Sequence, residues 1–133
     1  MTKLTFYGGT KSVTGANYLL EEFDKDGNPQ TRILVECGLL QGGKFCEDRN
    51  FEPFPYDATT IDAVFVTHAH IDHSGLLPKL YREGFNGAIY STHPTKDFAE
   101  HLLIDSAGIM KDEAEEKGEE PIFSIPDVNE TLK

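Results

Sequence analysis

Short apolar runs broken by turn residues fill the first third of the chain. Leu4-Thr5-Phe6-Tyr7 stops at Gly8-Gly9, while Asn17-Tyr18-Leu19-Leu20 and Ile33-Leu34-Val35 flank Asp24-Lys25-Asp26-Gly27-Asn28-Pro29. Runs of β-prone residues bounded by Gly, Asn and Asp predict strands, and the 24–29 segment predicts a hairpin turn, so this part reads as an antiparallel meander. Residues 41–60 show no period and carry Gly42-Gly43, Phe51, Pro53, Phe54, Pro55 and Tyr56, the mark of an ordered loop.

From residue 61 the period changes. Residues 61–66 read as a buried strand, 74–83 as a short helix closed by Gly84, and 88–91 as a second strand. Residues 94–117 read as a long amphipathic helix stopped by Gly118, its apolar stripe expected on Phe98, Leu102 and Ile109 with Ala99 and Leu103 beside them. Antiparallel strands followed by βαβα units predict an α/β (α+β) fold: a mixed β-sheet with helices packed on its outer face.

Composition changes this picture little. The chain has 133 residues, within the size of one domain with its own core. No apolar run is long enough to span a bilayer, and Met1-Thr2-Lys3-Leu4-Thr5-Phe6-Tyr7-Gly8-Gly9 lacks the apolar core of a secretory signal, so no membrane is expected and a cytoplasmic location is. Cys37 and Cys46, without CxxC spacing, are expected as free thiols. The net charge of −11 disfavours a phosphate backbone unless positive charge is gathered locally or supplied by metal. Asp112, Glu113, Glu115, Glu116, Glu119 and Glu120 account for much of it and read as a solvated helix end.

The chemistry sits in Thr67-His68-Ala69-His70-Ile71-Asp72-His73-Ser74-Gly75, which holds three of the five histidines. It follows the apolar run Ala63-Val64-Phe65-Val66 and precedes a helix, where α/β proteins present reactive groups at the C-terminal edges of strands. In an extended segment His68 and His70 project the same way and can share one ion, while Asp72 and His73 add a carboxylate and a third imidazole that can begin a second site. Gly75 lets the loop turn into the helix. Nitrogen and carboxylate donors suit zinc, with iron and manganese as alternatives. The bland alternative is a set of surface histidines with Asp72 as a helix cap; the density of donors favours metal. Four ligands cannot close two metal sites, because each zinc requires about three protein donors.

Histidine-Ala-His-Ile-Asp-His after a buried strand resembles the signature of the metallo-β-lactamase fold, an αββα sandwich with a dinuclear zinc centre at its sheet edges. The resemblance continues through Leu4-Thr5-Phe6-Tyr7-Gly8-Gly9, Val13-Thr14-Gly15, residues 33–38, Gln41-Gly42, Asn50-Phe51, residues 74–80, Thr92-His93-Pro94-Thr95 and residues 102–106, from about residue 3 to at least 117. These segments are similar to the β-CASP branch, which includes bacterial and archaeal ribonucleases and the endonuclease of eukaryotic polyadenylation. The resemblance makes His68 and His70 ligands of a first zinc and Asp72 and His73 ligands of a second. It implies phosphodiester hydrolysis, with Asp72 as the catalytic group that orients or deprotonates the attacking water.

Three departures accompany it. Glu36 stands where the family carries aspartate, a position that braces the metal loop from behind; its extra methylene is expected to shift the carboxylate, so Glu36 is expected to give weakened support. His93 matches a histidine of part of the family and is expected either near the site or as a helix-entry residue, whereas His101 is expected to be structural or exposed. The family's remaining ligands and its RNA-gripping cap come from segments beyond residue 133. Asp127-Val128-Asn129-Glu130 has capping-box spacing for a new helix, so residues 121–133 are expected to begin a segment that continues in a longer protein. The expectation is a single partial domain, residues 1–133, from a zinc-dependent RNA phosphodiesterase whose substrate is RNA, with the isolated chain inactive. A thioester or small-ester hydrolase on the same fold is one alternative. A non-catalytic interaction or assembly half-domain, its open sheet edge pairing with another copy as a homo-oligomer or with a missing half, is the other.

Overall fold

A computed structural model describes residues 1–133. Five strands form one sheet in sequence order: β1 (Thr2–Gly8), β2 (Asn17–Phe23), β3 (Pro29–Cys37), β4 (Ala63–Phe65) and β5 (Ala88–Tyr90). The first three pair antiparallel; β4 joins β3, and β5 joins β4, in parallel. The β2–β3 turn is closed by the Asp24 carboxylate, which accepts the backbone N–H groups of Asp26 at 2.8 Å and Asn28 at 2.9 Å. Gly27, at φ 84°, supplies the left-handed residue that this turn needs.

The 41–60 segment is more regular than its sequence suggests. It contains a short helix, α1 (Lys44–Asp48), and single 3-10 turns at Arg49–Phe51 and Ala58–Thr60. Side chains supply the order that periodicity does not. Asn50, buried, donates to Leu40 O and accepts from Leu40 N, both at 2.8 Å. Buried Lys79 donates to the carbonyls of Asn50 (2.8 Å) and Glu52, and pairs with Glu83 at 3.5 Å. These partners offset the cost of removing an ammonium from water.

The expected 74–83 helix is two pieces, α2 (Ile71–Ser74) and α3 (Leu77–Arg82), so helical geometry begins inside the histidine cluster. The long helix α4 (His93–Lys117) starts at an N-cap, Thr92, whose side chain accepts from Thr95 N, and ends at Gly118 with φ 68°. A last helix, α5 (Ile125–Thr131), is capped by Ser124 with Asp127 as the box partner. The cap thus lies three residues before the expected Asp127, which instead accepts from Ser124 N at 2.8 Å.

Two cores hold these layers. Leu19, Leu34 and Val64 from one sheet face pack with Leu77, Leu80 and Phe85. Ala99, Leu103 and Ala107 of α4 pack with Ala69, Phe123 and Val128. This corrects the expected stripe: Phe98 is 66% exposed and Ile109 53%, whereas Leu103 is fully buried. Small residues face inward because α4 approaches the histidine loop closely, leaving the large side chains outside. The acidic block is exposed, as expected.

The other sheet face is open. Strand register lines up Phe6, Tyr18, Val35, Phe65 and Tyr90 in one row, and Leu4, Leu20, Ile33, Ala63 and Ala88 in the next. Phe65 stacks on Tyr90 at 5.0 Å and Phe6 meets Tyr18 edge-on at 5.4 Å, yet Phe6 and Tyr90 each remain 53% exposed. No helix is long and apolar enough to cross a membrane.

Candidate metal centre

The histidine loop is fixed to the end of β3 by a backbone lattice. Ala16 N donates to Asp72 O, Leu39 N to Ile71 O and Leu76 N to Cys37 O, each at 2.9 Å. Gly38 makes this approach feasible. A Cβ built there would lie 1.7 Å from Asp72 O, so no other residue fits without moving the loop. Gly75 serves the same end. It is right-handed, and its missing side chain admits Leu39 and Ile71 rather than permitting a turn. Inside the loop the buried Ser74 hydroxyl donates to Ala69 O at 3.0 Å and His70 O at 3.1 Å.

Three donors converge over this lattice. One ligand atom each from Glu36, His68 and His73 lies within 4.8 Å of the others. The His68 ring is 4.0 Å from that of His73 and 4.7 Å from that of His70, between centroids. Asp72 Oδ2 stands 3.5 Å from His73 Nε2, and Glu36 Oε2 stands 3.6 Å from His73 Nδ1. His68, Asp72 and His73 are half-buried and His70, at the N-cap of α2, is exposed.

Glu36 is the surprise in this geometry. It is 3% exposed and takes φ 64°, a left-handed conformation uncommon for a long side chain. Its carboxylate reaches the loop despite the extra methylene, accepting Thr67 N at 3.2 Å and 3.3 Å on its two oxygens. Glu36 thereby both braces the loop and joins the donor group, whereas His70 and Asp72 border that group. His93 is exposed at the start of α4, at the same edge of the sheet but outside the cluster, and His101 is exposed on α4. Thr67 and Ser74 received no weight from the spacing. The hydroxyl directly before the first histidine was the available signal for Thr67.

The residues fit a metal. His73 Nδ1 is buried without a hydrogen-bond partner, the Glu36 carboxylate standing just beyond bonding distance at 3.6 Å, an expensive state for a polar atom that a shared ion between the two would relieve. The donor set is imidazole nitrogen and carboxylate oxygen, the chemistry of zinc and of iron or manganese. Elsewhere burial sets protonation: it raises the Cys37 thiol and the Tyr56 phenol far above their ordinary ranges and lowers the Lys79 ammonium.

Similarity to known proteins points the same way. The family model described as Metallo-beta-lactamase superfamily matches residues 16–132. The chain is 40% identical over 126 residues to Ribonuclease TTHA0252 of Thermus thermophilus, covering 95% of this chain and 26% of that protein. It is 38% identical over 134 residues to Transcription termination factor FttA of Methanocaldococcus jannaschii, covering 98% and 19% respectively. To Integrator complex subunit 11 of Danio rerio it is 35% identical over 108 residues, 76% of this chain and 17% of that one. The chain therefore spans from 17% to 26% of the length of these three relatives.

Proposed function

The chain belongs to the metallo-beta-lactamase superfamily, and from that premise we propose that it supplies part of the catalytic centre of a β-CASP-type RNA phosphodiesterase. The observation that carries this reading is the convergence of Glu36, His68 and His73 within 4.8 Å, with Asp72 and His70 bordering them. The names of relatives that are 40% and 38% identical, a ribonuclease and a transcription termination factor, favour RNA as substrate.

In this reading His68 and His70 would hold one zinc ion and Asp72 and His73 would begin a second site, iron or manganese being the alternatives. Bound metal supplies Lewis acidity and acidifies a coordinated water. Asp72, its side chain 23% exposed, is the group that orients or deprotonates the attacking water. Glu36 holds the loop in register through Thr67 N and faces His73 Nδ1, the kind of support that keeps an imidazole aligned. Local metal charge also offsets the repulsion between a chain of net charge −11 and a phosphate backbone.

Four loop donors and Glu36 do not complete two metal sites, so residues 1–133 act as a partial domain and are inactive alone. The test is cleavage of a labelled single-stranded RNA by the zinc-supplemented chain and by His68→Ala. Equal, background-level rates are expected. Cleavage by the chain that disappears in His68→Ala contradicts the partial-centre reading. A cytoplasmic location belongs to the same proposal.

The open sheet face favours a second role, assembly. Leu4, Phe6, Phe65 and Tyr90 stand exposed along these rows, an apolar surface that pairing with another copy, or with a missing half of the domain, covers. A mass that rises with concentration in sedimentation equilibrium is expected; a strict monomer excludes self-assembly.

A further inference from the structure

Part of the acidic block at the end of α4 faces a cleft. It lies between α4 and the segment 44–51, has a volume of about 610 Å³, and is floored by the half-buried Leu39, Leu40, Ile71, Met110 and Ile122. Both walls are helical faces. Ser106, Ile109, Met110, Glu113, Ala114 and Lys117 recur along α4 at alternating steps of three and one, and Lys44, Glu47, Asp48 and Phe51 do the same on α1 and the turn after it. Phe51 and Ile109, one on each wall, are each 53% exposed. The cleft is preformed: Asn50, beside Phe51, is tied to Leu40 by two hydrogen bonds, and its carbonyl accepts from buried Lys79.

Charge decides what fits there. Glu47, Asp48, Glu113, Glu119 and Glu120 line the cleft, against two cations, Lys44 and Lys117. Glu120 has a basic partner, Arg82 at 3.5 Å; the other four carboxylates stand unpaired around an apolar floor. A nucleic acid would set its phosphates against these carboxylates. A second copy of the chain, itself at net charge −11, would bring the same acidic rim to meet them. The complementary occupant is a helix with an apolar stripe and basic flanks, and the wall from Ser106 to Lys117 offers it roughly 17 Å, about three turns.

We propose that this cleft is a docking groove for a cationic amphipathic helix of a partner protein. Ile71, on its floor, stands between His70 and Asp72, and its carbonyl accepts from Leu39 N at 2.9 Å, so the docked helix rests against the back of the histidine loop. The groove itself depends neither on bound metal nor on RNA cleavage.

The test is fluorescence anisotropy of a labelled helical peptide of leucine and lysine, with leucines at i, i+3, i+4 and i+7. Salt at about 0.15 M screens attraction between distant charges. A scrambled peptide of the same composition, and one with glutamate for lysine, serve as comparisons. Saturable binding of the first peptide is expected, the other two binding at least about tenfold more weakly. Ile109→Ser, at an exposed site, is expected to weaken binding about tenfold with an unchanged circular dichroism spectrum. Glu113→Lys/Glu119→Lys is expected to weaken the lysine peptide about tenfold and to admit the glutamate one. Asp112→Lys/Glu116→Lys makes the same charge change outside the cleft and is expected to stay within about twofold of the parent. Absence of binding, equal binding of the scrambled peptide, parental affinity in Ile109→Ser, or equal weakening by the two charge-reversed pairs overturns the proposal. A labelled single-stranded RNA that binds the parent but not Ile109→Ser overturns it in favour of a nucleic acid. A concentration-dependent mass that disappears in Ile109→Ser overturns it in favour of a second copy.

Discussion

The carboxylate of Glu36 accepts the backbone N–H of Thr67 on both oxygens, at 3.2 Å and 3.3 Å, across the gap between the ends of β3 and β4. That contact ties the sheet to the residue from which the histidine loop departs. It also holds a nearly fully buried negative charge beside His73, 3.6 Å from Nδ1.

Removing the side chain should cost both stability and metal affinity. Glu36→Ala leaves Thr67 N without its partner, and a loss of about 1–3 kcal/mol is expected in urea unfolding. Glu36→Gln keeps an acceptor for Thr67 N and removes the charge beside His73. It should stay closer to the parent in stability while weakening zinc binding by about tenfold or more in calorimetry.

Gly38 should tolerate no side chain. A Cβ there lies 1.7 Å from Asp72 O and 2.9 Å from Ala16 N, so alanine must break the bond from Ala16 N to Asp72 O. Gly38→Ala is expected to lose about 3 kcal/mol, a fall of about 10 °C in Tm by calorimetry.

The inward face of α4 separates by mutation. Leu103, fully buried, should cost about 3 kcal/mol on truncation to alanine, whereas Phe98→Ser, at a site 66% exposed, should change stability by no more than about 0.5 kcal/mol. Chemical denaturation of the two variants checks the assignment of faces.

Alkaline pH should destabilise the fold. Burial keeps Cys37 and Tyr56 protonated in the folded state, with their pKa values raised. Above about pH 8.5 the unfolded thiol ionises first, followed near pH 10 by the unfolded phenol, so the unfolded state loses protons and gains population. Lys79 has the opposite sign: burial lowers its pKa, the folded state releases the proton first, and stability rises until the ordinary lysine range is passed. From about pH 10 upward, where the unfolded phenol has joined the thiol and the unfolded lysine is itself losing its proton, two acids against one base give a net loss, shallower in a Cys37→Ala/Tyr56→Phe variant and steeper in Lys79→Met. Urea midpoints measured across that range check the sign.

The sheet and the histidine loop were legible because their signals are local: alternating strands, an Asp-Gly turn, and donors spaced on one short segment. The approach of Glu36 was legible only through family resemblance, since 31 positions separate it from Thr67. The α4 stripe was legible in part: Ala99 and Leu103 lie inside as expected, with Ala107, against Ala69, whereas Phe98 and Ile109 of the same stripe are exposed because that interior has no room for them. Nothing in the pattern of 41–60 reveals its helical turns. Lys79 fixes them from another element, donating to Asn50 O across 29 positions.

Zinc titration of the chelator-stripped chain by calorimetry, beside a His68→Ala/His70→Ala variant, tests most directly whether this chain carries part of a metal centre rather than all of it. Expected is one weak site, absent from the variant. Tight binding of about two ions, lost in the variant, contradicts it and makes residues 1–133 a complete centre.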